Sequence, residues 1–381
     1  MNYCSKCLIP ISRPDQSFTK DRVCNACVSY EKRKDIDWDA RWKFFLNKID
    51  EIKKKKTTGW NCVIPSSGGK DSTYQAIRAR ELGLNPVLVT ATTCHLSDIG
   101  RRNIENLKNI GFDTVEITPN YKTRSKLNKI CLEEIGDISW PEHIGIFTLP
   151  IKFALYNKIP LILYGENPQI EYGGPEEELK NQVLDRKWLE EFGGLLGLRV
   201  SDFIENHSIP INEMEIYRYP SEEELKEFKI ESLFLGFFEP WDNFRNVEIA
   251  KKNGFEVFHK PLENCYMNSE KLDNYQHGIH DYFKFLKYGF GRATDQLSLM
   301  IRRKMITREE AIELVKLHEG KYPNSYLDMP LKIIVERINL SLEEFQNICD
   351  KYTNRQIFKC DQGGNLIKDE NNNLINTLKF N

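Results

Sequence analysis

Seven consecutive residues, Ser66-Ser67-Gly68-Gly69-Lys70-Asp71-Ser72, combine the groups needed to hold a chain of phosphates. The glycines let the backbone take positive φ and approach an anion closely, and a helix starting beyond them offers unpaired N–H groups and its positive dipole end. Ser67 and Ser72 add hydroxyl donors, Lys70 adds a point charge, and Asp71 is placed to hold Mg2+ against the phosphates. The apolar run Asn61 to Pro65 reads as a strand and Thr73 to Leu82 as a helix, which makes the seven residues a tight turn between them. The spacing excludes a Walker A loop, which needs four residues between its glycines before Gly-Lys-Ser/Thr. It also excludes the Gly-x-Gly-x-x-Gly dinucleotide fingerprint.

A second constellation precedes it. Cys4-x2-Cys7 and Cys24-x2-Cys27 are separated by sixteen residues, a spacing that can place four thiolates tetrahedrally around one Zn2+ with a short hairpin between the knuckles. All four positions are filled by protein, so the site reads as structural, supplying folding energy to a segment too short to build a core.

Strands and helices must alternate to position these groups. Pro86 to Ala91, Thr114 to Thr118, Pro160 to Tyr164 and Ser232 to Phe237 read as strands; Asp98 to Ile110, Lys122 to Ile135 and Phe147 to Asn157 read as helices. That alternation predicts a parallel sheet with ligands beyond the carboxyl ends of its strands. Thr90 to Thr93 then lie where a nucleoside sits, with Thr90 and Thr92 as contacts. Gly165-Glu166-Asn167 follows the next strand end, and Glu171-Tyr172-Gly173-Gly174 forms a polar loop beyond it. Glu166 and Glu171 are candidates to orient a substrate or take a proton.

Trp38, Trp42, Phe45, Leu46, Ile49 and Ile52 recur at helical steps within Asp35 to Lys56, and the closing run Lys53 to Lys56 reads as cations at a helix C-terminus. Lys284, Lys287 and Arg292 cluster near Asp295, and a cation from there, Arg292 above all, could reach the phosphates. His277 and His280 could mimic metal ligands but lack a third, which favours a structural role.

The chain has 381 residues, with 54 Lys plus Arg against 56 Asp plus Glu, so there is no global basic excess of the kind that holds nucleic acid. No apolar run is long enough to span a bilayer, and the first residues lack a secretory pattern, which predicts a cytoplasmic protein.

The string Ser67 to Ser72 resembles the PP-loop of the ATP pyrophosphatases, the adenine-nucleotide alpha-hydrolase-like superfamily that includes GMP, asparagine and NAD synthetases and the tRNA thiolases. Together with the cysteine knuckles, Gly165-Glu166-Asn167-Pro168, Glu171-Tyr172-Gly173-Gly174 and Lys287 to Asp295, it makes nearly the whole chain look like the N-acetyl sugar amidotransferase family of O-antigen and pseudaminic or legionaminic acid biosynthesis. The resemblance implies a PP-loop (HUP-type), doubly wound α/β sheet with an N-terminal zinc-ribbon module and a helical C-terminal region. The boundaries expected are a zinc module at 1–34, a linking helix at 35–58, the PP-loop domain at 59–260 and the C-terminal region at 261–381.

The activity implied is ATP-dependent conversion of a sugar acetamido group to acetamidino. ATP adenylates the amide oxygen, pyrophosphate leaves into the loop, and ammonia displaces AMP. Ser66 to Ser72 with Gly165 would bind ATP and pyrophosphate. Asp71 would hold Mg2+, and Lys70 and Arg292 would meet developing charge. No cysteine outside the knuckles sits in a glycine-flanked elbow and Met1 is followed by Asn2, so a separate glutaminase, similar to the histidine-pathway synthase pair, is expected to supply ammonia. The alternatives are a PP-loop tRNA thiolase, which would need sulfur-carrying cysteines such as Cys94 or Cys265, and a non-catalytic nucleotide-binding module.

Overall fold

The computed structural model describes residues 3–55, 59–168, 171, 180–378 and 380. Five parallel strands, β1 (Cys62–Pro65), β2 (Pro86–Ala91), β3 (Asp113–Ile117), β4 (Leu161–Tyr164) and β5 (Glu231–Phe234), form one sheet in the order β3-β2-β1-β4-β5. Val63 is in register with Val87 on one side and Ile162 on the other. Strand order therefore reverses between β1 and β4, and this is where an open parallel sheet leaves a crevice at its carboxyl edge.

Alternation along short, doubly buried strands builds two cores. Cys62, Ile64, Leu88, Leu161 and Leu163 face helices α2 (Trp38–Lys54) and α3 (Lys70–Glu81), meeting Phe45, Ile49 and Tyr74. Val63, Val87, Val89 and Ile162 face the other way, onto Ile151 and Ala154 of α6 (Trp140–Tyr156). Leu107 of α4 (Asp98–Asn109) joins the first core, Leu127 and Ile130 of α5 (Tyr121–Ile135) pack against Trp140 and Ile144 of α6, and Asp37 caps α2 by accepting from the Ala40 N–H at 2.8 Å.

Two elements depart from the periodicity. Helix α6 starts at Trp140 and not Phe147, because Pro141 suits a first helical turn, and it continues through Pro150. The apolar run expected as a strand to Phe237 leaves the sheet after Phe234 and coils into a helical turn, Leu235–Phe238, where the Gly236 N–H donates to the Gly165 carbonyl at 3.0 Å. Periodicity cannot separate strand from helix in so uniform a run.

Beyond residue 253 the regular elements are helices, joined by long non-helical stretches, with a small hairpin pairing Ser325–Tyr326 to Met329–Pro330. The core of this region, including Phe283, Val335 and Phe345, also takes in Ile99 of α4 and Leu132 of α5. Helix α1 (Asn25–Lys32) ends the cysteine segment, whose chain is braced by the bridges Tyr3 to Pro10 and Phe18 to Cys24. Among the described residues no helix is long and apolar enough to cross a membrane.

Candidate functional site

The turn after β1 is built by its own side chains. The Ser66 hydroxyl lies 3.1 Å from that of Ser72 and accepts from the Gly68 N–H at 3.1 Å, and Ser72 in turn donates to the Gly69 carbonyl. Gly68 has φ of +78°, and a Cβ there would sit 2.9 Å from the backbone nitrogen of Ile104, so no other residue fits. Gly69 is the N-cap of α3 in ordinary extended conformation, and no side chain caps the helix. The first residues of α3, Lys70 to Ser72, line a crevice together with the turn.

That crevice is a cavity of about 380 Å3 lined by all seven residues from Ser66 to Ser72, by Gly165 and Glu166 at the end of β4, and by Arg292. A Cβ at Gly165 would lie 2.5 Å from Gln75 Nε2 and 3.0 Å from Trp241, so a larger residue at the β4 end would have to displace the Gln75 amide and press on the Trp241 ring. Asp71 accepts from Asn246 Nδ2 at 3.0 Å and pairs with Lys70, which also lies 3.4 Å from Glu270. Burial, reinforced by the Asp71 charge and opposed by Lys70, pushes the Glu166 carboxyl up to about 8.

Four expected residues fall elsewhere. Thr90 lies inside β2 on the face opposite Val89 and Ala91, which line the cavity, so strand alternation turns it away; Thr92 is buried beyond the strand and likewise absent from the lining. The Glu171 carboxylate is held by Arg33 at 2.7 Å and Arg303 at 3.7 Å, outside the cavity. Lys284 pairs with Asp295. Tyr172, Gly173 and Gly174, and Lys56 of the lysine run, lie outside the described residues. His277 is held by Asp273 and His280 by Asp137, so the two share no ligand set.

The structure adds groups that the sequence did not reveal. Glu270, Lys271 and Asp273 enter the cavity from a loop remote in sequence, with no motif to signal them. Burial would raise the Glu270 carboxyl, but Lys70 and Arg292 outweigh it and hold it below the usual range. Burial and the neighbouring Arg292 lower the Lys271 ammonium, which Asp281 partly offsets from 2.9 Å. Three cations and at least three carboxylates thus share one crevice, an arrangement able to neutralise phosphates and to handle a proton. No cysteine lines it, and burial raises the Cys94 and Cys265 thiols.

The four knuckle cysteines are buried, and their sulfur atoms all lie within 4.8 Å of one another. Cys7 and Cys24 Sγ are 3.6 Å apart and Cys4 and Cys27 Sγ 4.0 Å apart. A tetrahedral zinc site spaces its sulfurs by about 3.8 Å, so the cluster could hold a metal such as zinc. The Lys6 and Cys24 N–H groups point at Cys4 Sγ at 3.4 and 3.2 Å, supporting a thiolate there.

Residues 254–371 match the family described as "LPS biosynthesis protein WbpG-like, C-terminal domain". The match takes in Glu270, Lys271 and Arg292 but not the turn Ser66 to Ser72. No curated protein matches the chain. Among solved structures, the predicted subunit of a tRNA methyltransferase from Methanocaldococcus jannaschii is similar at 15% identity, over 62% of this chain and 92% of that one, with a TM-score of 0.29.

Proposed function

We propose that this chain is an ATP-dependent, AMP-forming amidotransferase that turns the acetamido group of an N-acetyl sugar into an acetamidino group for cell-surface glycan biosynthesis. The observation that carries the reading is the turn Ser66 to Ser72, with its uncapped helix start, opening at the strand-order reversal onto Glu166 and Arg292. The similarity of residues 254–371 to a lipopolysaccharide-biosynthesis domain supports a glycan substrate. The PP-loop reading of the fold, the boundaries at 34, 58 and 260, and the cytoplasmic location belong to the same proposal.

An amide carbonyl is a poor electrophile, so its oxygen must first become a leaving group. Backbone N–H groups at the start of α3, with the Ser67 and Ser72 hydroxyls, would hold the β- and γ-phosphates and leave the α-phosphorus open to the amide oxygen. The P–O bond to pyrophosphate breaks as the new P–O bond forms, and Lys70 and Arg292 meet the charge that develops on the departing oxygens. Ammonia then adds to the activated carbon, Glu166 takes the proton it sheds, and the C–O bond to AMP breaks.

Asp71, which lines the cavity beside the phosphate turn, fits a divalent cation as a carboxylate ligand. Mg2+ held there would screen the phosphate oxygens. Ammonia would come from a separate glutaminase similar to the histidine-pathway synthase pair. The absence of a cysteine from the cavity lining argues against a thiolase.

The test is to incubate the chain with ATP, Mg2+, ammonium and candidate N-acetyl sugars and follow sugar and nucleotide by mass spectrometry. Exchange of one oxygen for one NH, with AMP and pyrophosphate formed in equal amounts, is expected. ADP and phosphate as the products would overturn the mechanism.

A further inference from the structure

The helix Arg292–Arg302 runs between the two constellations, and one face of it serves both. Arg292 at its start lines the cavity. Continuing along the stripe at three- and four-residue steps, Asp295 accepts from Arg13 Nη1 at 2.5 Å, Ser298 Oγ accepts from the Leu8 N–H at 3.2 Å, and Arg302 Nη1 donates to Cys7 Sγ at 3.7 Å. Arg13 and Leu8 belong to the cysteine segment, so that segment grips every turn of the helix. At about 1.5 Å per residue the helix carries this grip roughly 15 Å, from the sulfur cluster to the cavity.

The charge chemistry explains why Arg302 is there. Four thiolates around one divalent cation leave a net charge of about −2 in a buried place, which needs a counter-ion. Arg302 is 8% exposed, and its other terminal nitrogen donates to the Glu171 carbonyl at 3.1 Å, tying the same cation to the polypeptide beyond β4. Arg308 adds donors to the Cys7 and Cys4 carbonyls. Asp295 is a second node, since Lys284 joins Arg13 on its carboxylate.

We propose that the four-cysteine centre controls the cavity: its charge fixes Arg302, and through the helix it sets the position of Arg292, with Asp295 and Arg302 as positioning residues. Loss of the metal would then loosen Arg292 before the parallel sheet unfolds, making the cavity's anion affinity respond to metal supply. This rests on the reading of the cavity as a pyrophosphate site, but not on the sugar chemistry.

Two measurements on the full chain test it. The first is hydrogen exchange of zinc-loaded protein before and after chelation: amides of 292–302 should lose protection while those of β1, β2 and β4 keep theirs. Unchanged exchange in 292–302, or simultaneous loss in the strands, would overturn the proposal whatever the reaction catalysed. The second is a calorimetric double-mutant cycle with inorganic pyrophosphate and Mg2+. Arg302→Gln should weaken binding about tenfold in the wild-type background, Arg302→Lys should recover most of it, and Arg302→Gln should add nothing when Arg292 is already alanine. Additive losses, or an Arg302→Gln variant that keeps both its zinc and wild-type affinity, would refute the strut. Normal pyrophosphate binding without sugar turnover would instead refute only the proposed reaction.

Discussion

The cysteine cluster and the cavity are both collars of short loops, yet they differ in how the chain supplies them. The cluster takes its four sulfurs from one segment, closes them off from water and leaves no position for a substrate. The cavity stays open and draws on the turn after β1, the end of β4, the loop around Glu270 and the start of the helix Arg292–Arg302. A closed site made of one residue type is a local matter of spacing. An open site with mixed charges has to be assembled by the fold, and its groups perturb one another.

Substitutions that separate the two regions sharpen this contrast. The largest effect is expected at Asp71: Asp71→Asn should cost about 10^2-fold or more in turnover with zinc content and fold unchanged, as judged by metal analysis and circular dichroism. A loss of zinc in that variant would show that the regions are not separable in this direction.

Next is Glu166, where activity and stability should move in opposite senses. With its folded value near 8 against about 4.5 for the free group, the folded chain keeps a proton that the unfolded chain has lost, so this group makes stability fall as pH rises between those values. Glu166→Gln should therefore melt higher than wild type at pH 8. It should also lower kcat by about 10- to 100-fold and flatten the rise in kcat through pH 8 measured at constant free ammonia. An unaltered pH profile would remove Glu166 as the proton acceptor.

The two glycines of the turn give a graded comparison. Gly68→Ala must adopt positive φ and press on Ile104, which should cost about 1–3 kcal/mol and abolish nucleotide binding. Gly69→Ala faces only the Ser67 hydroxyl at 3.2 Å and should be the milder of the two. Equal losses in denaturant melts and nucleotide titrations would contradict this account of the turn.

The smallest effect on chemistry is expected at Glu171. Glu171→Gln weakens the pairs with Arg33 and Arg303 and should cost about 1–3 kcal/mol of stability while leaving kcat within about twofold. A large drop in kcat at unchanged stability would return Glu171 to the site.

Much of this was legible from residue order. The two knuckles and the Ser-Gly-Gly-Lys-Asp-Ser string are chemistry written in nearby residues, and the repeated alternation of short β-branched runs with longer amphipathic stretches implies a parallel α/β sheet even where one run, at 232–238, is part strand and part helix. The run Pro86 to Ala91, which reads as a strand from its pattern, is β2 to the residue. What the sequence did not announce depends on direction and distance. Thr90 and Val89 are adjacent in the chain, but a strand sends them to opposite faces, and only Val89 meets the cavity. Glu171 sits in a polar, glycine-rich stretch that reads as functional, yet arginines from two distant segments claim its carboxylate.

By itself the sequence determined the local devices: which residues could bind phosphate, which could bind a metal, and that strands and helices alternate between them. Those follow from bonding geometry over a few residues. Only the tertiary structure decided that Glu270, Lys271 and Arg292 face the turn at residues 66–72, and that the cysteine cluster stands at the far end of the helix that Arg292 begins. Such juxtapositions come from packing apolar faces that are hundreds of residues apart, and no periodicity in the chain records which charge will be left beside which.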